Sequence, residues 1–434
     1  MPNQWALIVL SLSLFTTLIR SVTGEQRRTN TMQHTQISVC CLAGSDVTES
    51  SLKKQQSHKN SDEAPLQQSA SNKHPSIIVP FQYDPVLLPY IVVQVDINGH
   101  SLPFIVDTGT DMPLLIDTAA AQSLKLPRGK RTVLSGKRVI FSTKIASMRF
   151  LGVTGQDVPY AQITDLTSID DNTSGTRVAG VIGLPLLRLF TIQIDFTAKT
   201  LTLIPMAHPP FRLKGASVLP MKSQGGGYTV ALTPANKLSL PFMIDTGSEL
   251  TGVPAKAAEQ LPFVSKTVAT TQSVYGVEST VQRLLSEFQV GAFSEPDVVV
   301  NDNPPYFPTA IIGLNVLARF NVTLDFHNNE LLLIRSPDYP ECIHLVGHSG
   351  IVMKKENGYY YVSTVEPESP AALTGIQPGY RLISIDNHLL APLSASSAYR
   401  ILNGFANTSI KLVVKPSNGI EFCTSFKRDC LLKK

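Results

Sequence analysis

Two acidic residues stand where acidic residues are costly. Asp107 closes the apolar run Leu102-Pro103-Phe104-Ile105-Val106, and Asp245 closes Leu240-Pro241-Phe242-Met243-Ile244. Each is followed by Thr and Gly (Thr108-Gly109, Thr246-Gly247), then by a hydroxyl residue (Thr110, Ser248) and an acid (Asp111, Glu249). A carboxylate at the end of a buried strand is expensive unless it is paired or hydrogen-bonded. Two of them on matching loops can be each other's partner. Such a pair cannot ionise fully, so one group keeps a proton and the two pKa values split. One carboxylate can then take a proton from water while the other carboxyl polarises a carbonyl, which is what hydrolysis of a peptide bond requires.

The neighbouring residue types suit that task. Thr108 and Thr246 can hydrogen-bond across the axis between the two loops, and Gly109 and Gly247 allow a tight turn with an N–H aimed at a carboxylate. The hydroxyls of Thr110 and Ser248 are expected to donate to the adjacent carboxylates, which would lower the pair's pKa values and place the activity optimum below neutrality. Asp111 and Glu249 are candidates either to accept hydrogen bonds from a substrate backbone or to form surface salt bridges. A lone Asp-Thr-Gly is an ordinary turn. Two copies in register are not.

The register extends well beyond the triplets. "AAAQ" from Ala119 and "AAEQ" from Ala257 each begin twelve residues after the Asp. "VIGLPLLRLFTIQIDF" from Val181 answers "IIGLNVLARFNVTLDF" from Ile311, and Gly183 to Asp195 and Gly313 to Asp325 both span twelve positions. Two homologous units of about 125 residues therefore follow one another, each large enough to bury a core. Within a unit the signals are mainly β. Ile91, Val93, Val95 and Ile97 alternate before the hairpin signal Asn98-Gly99, and a second strand leads into Asp107. Short helices are expected from Asp117 and from Leu184. Asp195 and Asp325 repeat too, but far along each unit, and read as structural.

Both units resemble retropepsin lobes, the aspartic-protease fold of retroviral proteases and, in larger form, of pepsins. The resemblance rests on Ile105-Val106-Asp107-Thr108-Gly109 with Val181-Ile182-Gly183, and on Met243-Ile244-Asp245-Thr246-Gly247 with Ile311-Ile312-Gly313. It covers roughly residues 85–336 and implies catalysis by Asp107 and Asp245 without a metal or other cofactor. It also implies substrate-closing flaps near Ser135-Gly136-Lys137 and Tyr275-Gly276-Val277. Most retropepsins are homodimers with one triplet per chain, whereas this chain carries both, so a monomer could be complete.

Beyond Pro337 the pattern changes. Strands are expected at Tyr360–Val365 and Arg381–Ile385, a short helix at Ala371–Leu373 ended by Gly375, a second helix in "SASSAYRILNG", and a closing strand in "SIKLVVKP". This segment resembles a PDZ domain of the bacterial type, with Ser349, Gly350, Ile351 and Val352 as the carboxylate-binding loop and first strand. It departs from the type at Gly379-Tyr380 and Asn387-His388. The resemblance implies recruitment of a C-terminal peptide or a protein substrate along Ile351–Met353.

At the other end, Trp5 to Ile19 is an apolar run of signal-peptide length with small residues before Gly24. It implies export to a periplasm or the cell exterior, or an uncleaved membrane anchor. The polar stretch that follows is a linker. The chain thus divides into a signal segment 1–24, an arm 25–78, protease lobes 79–209 and 210–338, and a PDZ domain 339–428. The expected fold class is mainly β: two tandem acid-protease barrels forming a pseudo-dimer, then a small α+β domain.

The rest of the composition mostly excludes. A net charge of +4 with scattered Lys and Arg gives no nucleic-acid stripe. The five cysteines have no metal spacing, and no Ser or Thr has a His partner pattern. The leading reading is an exported aspartic endopeptidase acting on peptide or unfolded protein. The competing class is a peptide-binding or scaffold protein whose lobes have lost activity.

Overall fold

The computed structural model describes residues 76–133, 139–150, 153–170, 177–205, 209–234, 239–273, 276–305, 307–336 and 347–430. The expected signal segment and nearly all of the polar arm lie outside the described residues.

The alternating runs form the strands that their period implies. Leu88–Ile97 sends Ile91, Val93, Val95 and Ile97 into the core. Asn98 (φ 50°) and Gly99 (φ 82°) then turn the chain with both residues left-handed, the conformation an Asn-Gly hairpin favours. His100–Asp107 returns antiparallel and ends on the first Asp. Asp117 caps the next helix, Thr118–Ser123, by accepting from the Ala119 and Ala120 amides.

Two eight-stranded sheets share one topology. The first runs Gln82–Asp84, Leu88–Ile97, His100–Asp107, Gly180–Gly183, Leu114–Asp117, Val153–Thr164, Val139–Phe150, Arg131–Val133. The second runs Lys222–Gln224, Gly227–Pro234, Leu240–Ile244, Ala310–Ile312, Thr251–Pro254, Phe293–Asn303, Gly276–Val290, Ser265–Ser273. Each strand of the first has its counterpart, in order, in the second.

A six-stranded sheet joins the two halves. Phe190–Asp195 lies antiparallel to Phe320–Asp325, with Gln193 opposite Thr323. These two residues stand at equivalent positions of the repeat, so the pseudo-twofold axis passes between them. Asp195 accepts from the Ala198 amide and Asp325 from the Asn328 amide, so both repeated acids hold turns, as their position suggested. One hydrophobic core runs through both halves, from Phe104 and Ile182 to Phe242 and Ile312.

The C-terminal unit has its own core, including Ile351, Met353, Tyr360, Leu382, Leu402 and Leu412. Its sheet runs Ile351–Glu356, Tyr359–Val365, Arg381–Ile385, Ser409–Lys415, Phe422–Lys427, beside the helix Ala395–Asn403. The expected short helix is a 3-10 turn, Ala372–Thr374, ended by left-handed Gly375. Ser409–Lys415 does not close the unit, because Phe422–Lys427 pairs beyond it. That last strand is half-buried to exposed throughout and lacks the alternation that would announce it. Among the described residues no helix is long and apolar enough to cross a membrane.

Candidate active site

Strand pairing brings the two triplets together from below. Val106 and Asp107 lie parallel to Ile182 and Gly183, and Met243 and Ile244 to Ile311 and Ile312. The glycine of each Ile-Gly-Leu sits under the loop that follows the triplet. A Cβ at Gly183 would stand 1.9 Å from the Met112 carbonyl oxygen, and one at Gly313 would stand 2.5 Å from that of Leu250. The next amides then fasten the loops: Leu184 N–H donates to Thr110 O at 3.0 Å, and Leu314 N–H to Ser248 O at 2.8 Å. The repeated Ile-Gly-Leu is thus the floor on which each triplet turns.

Across the axis the threonines bond reciprocally. Thr108 Oγ1 donates to Ile244 O (2.7 Å) and accepts from Thr246 N–H (3.1 Å). Thr246 Oγ1 donates to Val106 O (2.8 Å) and accepts from Thr108 N–H (3.0 Å). All four bonds are buried, where they are worth most. They fix the two turns face to face, as the residue types suggested.

The carboxylates meet at the centre. Gly109 N–H donates to Asp107 Oδ1 at 2.7 Å, and Gly247 N–H to Asp245 Oδ1 at 2.9 Å. Each glycine also abuts the opposite acid. A Cβ at Gly109 would lie 2.4 Å from Asp245 Cγ, and one at Gly247 would lie 2.3 Å from Asp107 Cγ. Both aspartates are fully buried. Asp107 Oδ2 is buried beside the Asp245 carboxyl, so a proton shared between the two satisfies it better than a second charge would. Burial, and then the Asp245 charge beside it, hold the Asp107 carboxyl well above the usual carboxylate range, against the lowering effect of the Gly109 and Thr110 amides. The arrangement is a buried pair of carboxyls, one from each triplet, with Gly109 beside them in the lining of a cleft.

Residues 93–186 match the aspartyl protease family model. No curated protein matches the chain. The matched segment contains the Asp107 triplet and the Gly183 floor, and it is similar to aspartyl proteases on those residues. It ends before the second triplet, which repeats the same geometry.

Two expectations for the flanking residues need correction. The Ser248 hydroxyl donates to Leu250 O at 2.7 Å, not to Asp245. The Thr110 hydroxyl accepts from Met112 N–H at 3.4 Å, and it is the Thr110 backbone amide that supports Asp107. Neither hydroxyl is bonded to a carboxylate of the pair, so neither lowers the pair's pKa values. Glu249 is no substrate acceptor either. It is buried and held by Arg400 of the C-terminal unit, at 2.8 and 3.1 Å, in an ion pair that is not a surface one.

Asp111, at the equivalent position of the first half, does line the cleft, facing Gly226, Met243 and Phe307. Its Oδ1 is buried without a hydrogen-bond partner, and burial raises its carboxyl. Of the expected flap residues, Ser135, Gly136, Lys137 and Tyr275 lie outside the described residues. Gly276 begins the long strand Gly276–Val290 and pairs with Ser273.

Sequence reasoning missed the tight turn Gln224-Gly225-Gly226 and the segment Phe307–Thr309, which line the cleft opposite Asp111. The run of three glycines at 225–227 was the available signal for the first.

In the C-terminal unit, Ser349 Oγ accepts from Ile351 N–H and donates to Asn403, and Gly350 is left-handed (φ 79°) against Ser369. Ile351 is buried, while Val352 turns outward. The strand edge expected to take a peptide is occupied. The Tyr399 hydroxyl accepts from Met353 N–H (3.2 Å) and donates to Met353 O (3.1 Å), so an added strand would have to displace it.

Proposed function

We propose that this protein is an aspartic endopeptidase in which Asp107 and Asp245 act as one pair on a water molecule. The observation that carries the reading is the reciprocal threonine bonding that sets the two carboxyls face to face, each against the other triplet's glycine. In the active form the pair holds one proton. The ionised carboxylate takes a proton from water as the water oxygen attacks the peptide carbonyl carbon. The protonated carboxyl gives its proton to the carbonyl oxygen, and collapse of the tetrahedral intermediate sends a proton to the departing amine. Burial serves this step, since it keeps the shared proton on the pair at a pH where a solvated carboxyl would have lost it.

The substrate is an extended peptide or an unfolded protein segment lying in the cleft between the halves, with Asp111 as an acceptor for its donors. One chain supplies both triplets, so a monomer is the working unit, without a metal, cofactor or nucleic acid. Residues 347–430 are read as a PDZ-like unit. The apolar run near the N-terminus supports export, to a periplasm or the cell exterior or to a membrane anchor.

The test is cleavage of a reduced, alkylated protein substrate, with and without pepstatin, from about pH 3 to 8. The reading expects new peptide termini whose formation pepstatin blocks. No cleavage anywhere in that range by folded protein would leave the scaffold class as the better account.

A further inference from the structure

The C-terminal unit sends one arginine to the catalytic halves. Arg400 lies on the helix Ala395–Asn403 and is buried. Its Nη1 and Nη2 donate to the two Glu249 oxygens, at 3.1 and 2.8 Å, while its Nε donates to Val86 O at 2.7 Å. One guanidinium therefore grips both halves, with Val86 in the turn before Leu88–Ile97 and Glu249 four residues beyond Asp245. Only the planar fork of arginine can serve a carboxylate bidentately and a third acceptor at once.

Both anchor points are themselves held. Asp84 Oδ1 accepts from the Val86 and Leu87 amides at 2.8 Å each, and Leu87 packs on the C-terminal core. Glu249 O accepts from Asn315 N–H (2.9 Å), next to the Leu314 N–H bond to Ser248 O. Asn315 Oδ1 accepts from the Thr251 amide and hydroxyl, at 2.8 Å each. Ala406 packs on Leu284 and Val299, extending the dock along the second half. The first half is built differently. Position 185 is proline where the second half has Asn315, so it lacks the matching amide donor, and Asp111 faces the cleft.

We infer that Arg400 is a positioning residue for the Asp245 turn, so that the C-terminal unit is a structural part of the catalytic centre and more than a tethered recruiter. The inference rests on the peptidase reading only for its kinetic consequence. The physical reason is the asymmetry of buried ion pairs: removing one partner strands the other charge, whereas replacing both is tolerated. Without Arg400, the Glu249 carboxylate must take up a proton or move toward water. Moving it drags a segment bonded to the floor helix Leu314–Leu317 and continuous with Asp245. Burial holds the Glu249 carboxyl above its ordinary range, and Arg400 is the charged side chain that opposes that rise, by its charge and its hydrogen bonds.

The experiment compares Arg400→Met, Arg400→Lys and the double variant Glu249→Gln/Arg400→Met in the full chain. Hydrogen exchange is read by mass spectrometry, and kcat and KM on a small unstructured peptide are followed across pH. For Arg400→Met the inference expects faster exchange at residues 245–251, with residues 107–112 unchanged. It expects kcat to fall at least about tenfold near neutrality with KM nearly constant, a deficit that shrinks in acid as Glu249 takes up its proton. The double variant recovers most of both losses, and Arg400→Lys recovers part.

Exchange at 245–251 like wild type, or a rise spread evenly over both halves, would overturn the positioning role. So would a double variant as impaired as Arg400→Met. If the wild type itself cleaves nothing, the peptidase reading fails, and the exchange data still decide whether Arg400 holds the turn.

Discussion

Adding one methyl group at Gly247 should disable the pair from the opposite side. The Cβ of Gly247→Ala would stand 2.3 Å from Asp107 Cγ and 2.5 and 2.6 Å from its oxygens, where contacts below 3.0 Å are essentially never found. The Asp107 carboxylate must therefore retreat by at least 0.7 Å, the difference between 3.0 and 2.3 Å. A misplacement of about 1 Å at a reacting group costs on the order of a hundredfold in rate. We expect kcat to fall by roughly 30- to 100-fold, with KM little changed, because the substrate-lining residues stay in place. Overpacking of this size costs about 1–3 kcal/mol, which a thermal melt reads separately. Gly109→Ala, at 2.4 Å from Asp245 Cγ, should lower kcat in the same way by the pseudo-twofold, with KM affected as well because Gly109 itself lines the cleft. The assay is steady-state kinetics on one soluble peptide, beside a melt of each variant. Either alanine variant turning over at the wild-type rate while folded would refute the face-to-face placement of glycine and acid.

Other outcomes follow from the same geometry. Thr108→Val and Thr246→Val each remove a hydroxyl that donates to a buried carbonyl and accepts a buried amide, so each should destabilise by about 1–3 kcal/mol in denaturant unfolding; a change within error would show that the cross-axis bonds carry no net stability. The Asp107 carboxyl is raised from 3.8 by burial and by Asp245, so the alkaline limb of the rate profile should lie well above the ordinary carboxylate range. The folded state then binds more protons than the unfolded chain between the two values, and stability should decline as pH rises through that window. Asp107→Asn should flatten the decline, and an unaltered stability profile would contradict the assignment.

Much of the centre was legible because its physics is local and repeated. The triplets, the Ile-Gly-Leu floors and the alternating runs into Asp107 and Asp245 are short patterns, and two copies in register exclude coincidence. The cross-axis threonines follow from residue type once the loops face each other. The partners of the Thr110 and Ser248 hydroxyls were not legible, since a rotor chooses among nearby groups: Thr110 accepts from the Met112 amide and Ser248 donates to Leu250 O. The Glu249–Arg400 pair spans 151 positions with no local signal at either end. By residue type Glu249 suits a substrate acceptor or a surface ion pair equally, and its partner Arg400 comes from another unit and lies buried on it. Tyr399 is a similar case, a helix residue whose hydroxyl satisfies a strand edge that pattern alone leaves open.

The central claim is that two carboxyls, one from each half, hydrolyse a peptide bond as a single unit. The most direct measurement is turnover of one unstructured peptide by Asp107→Asn, by Asp245→Asn and by the double variant, all verified as folded by circular dichroism. With either carboxyl lost, the remaining one can be acid or base but not both at once. The account predicts that each single variant loses at least about a thousandfold and that the double variant is no worse than either, as expected of residues that act as a unit. Substantial turnover by either single variant, or losses that multiply in the double, would contradict it.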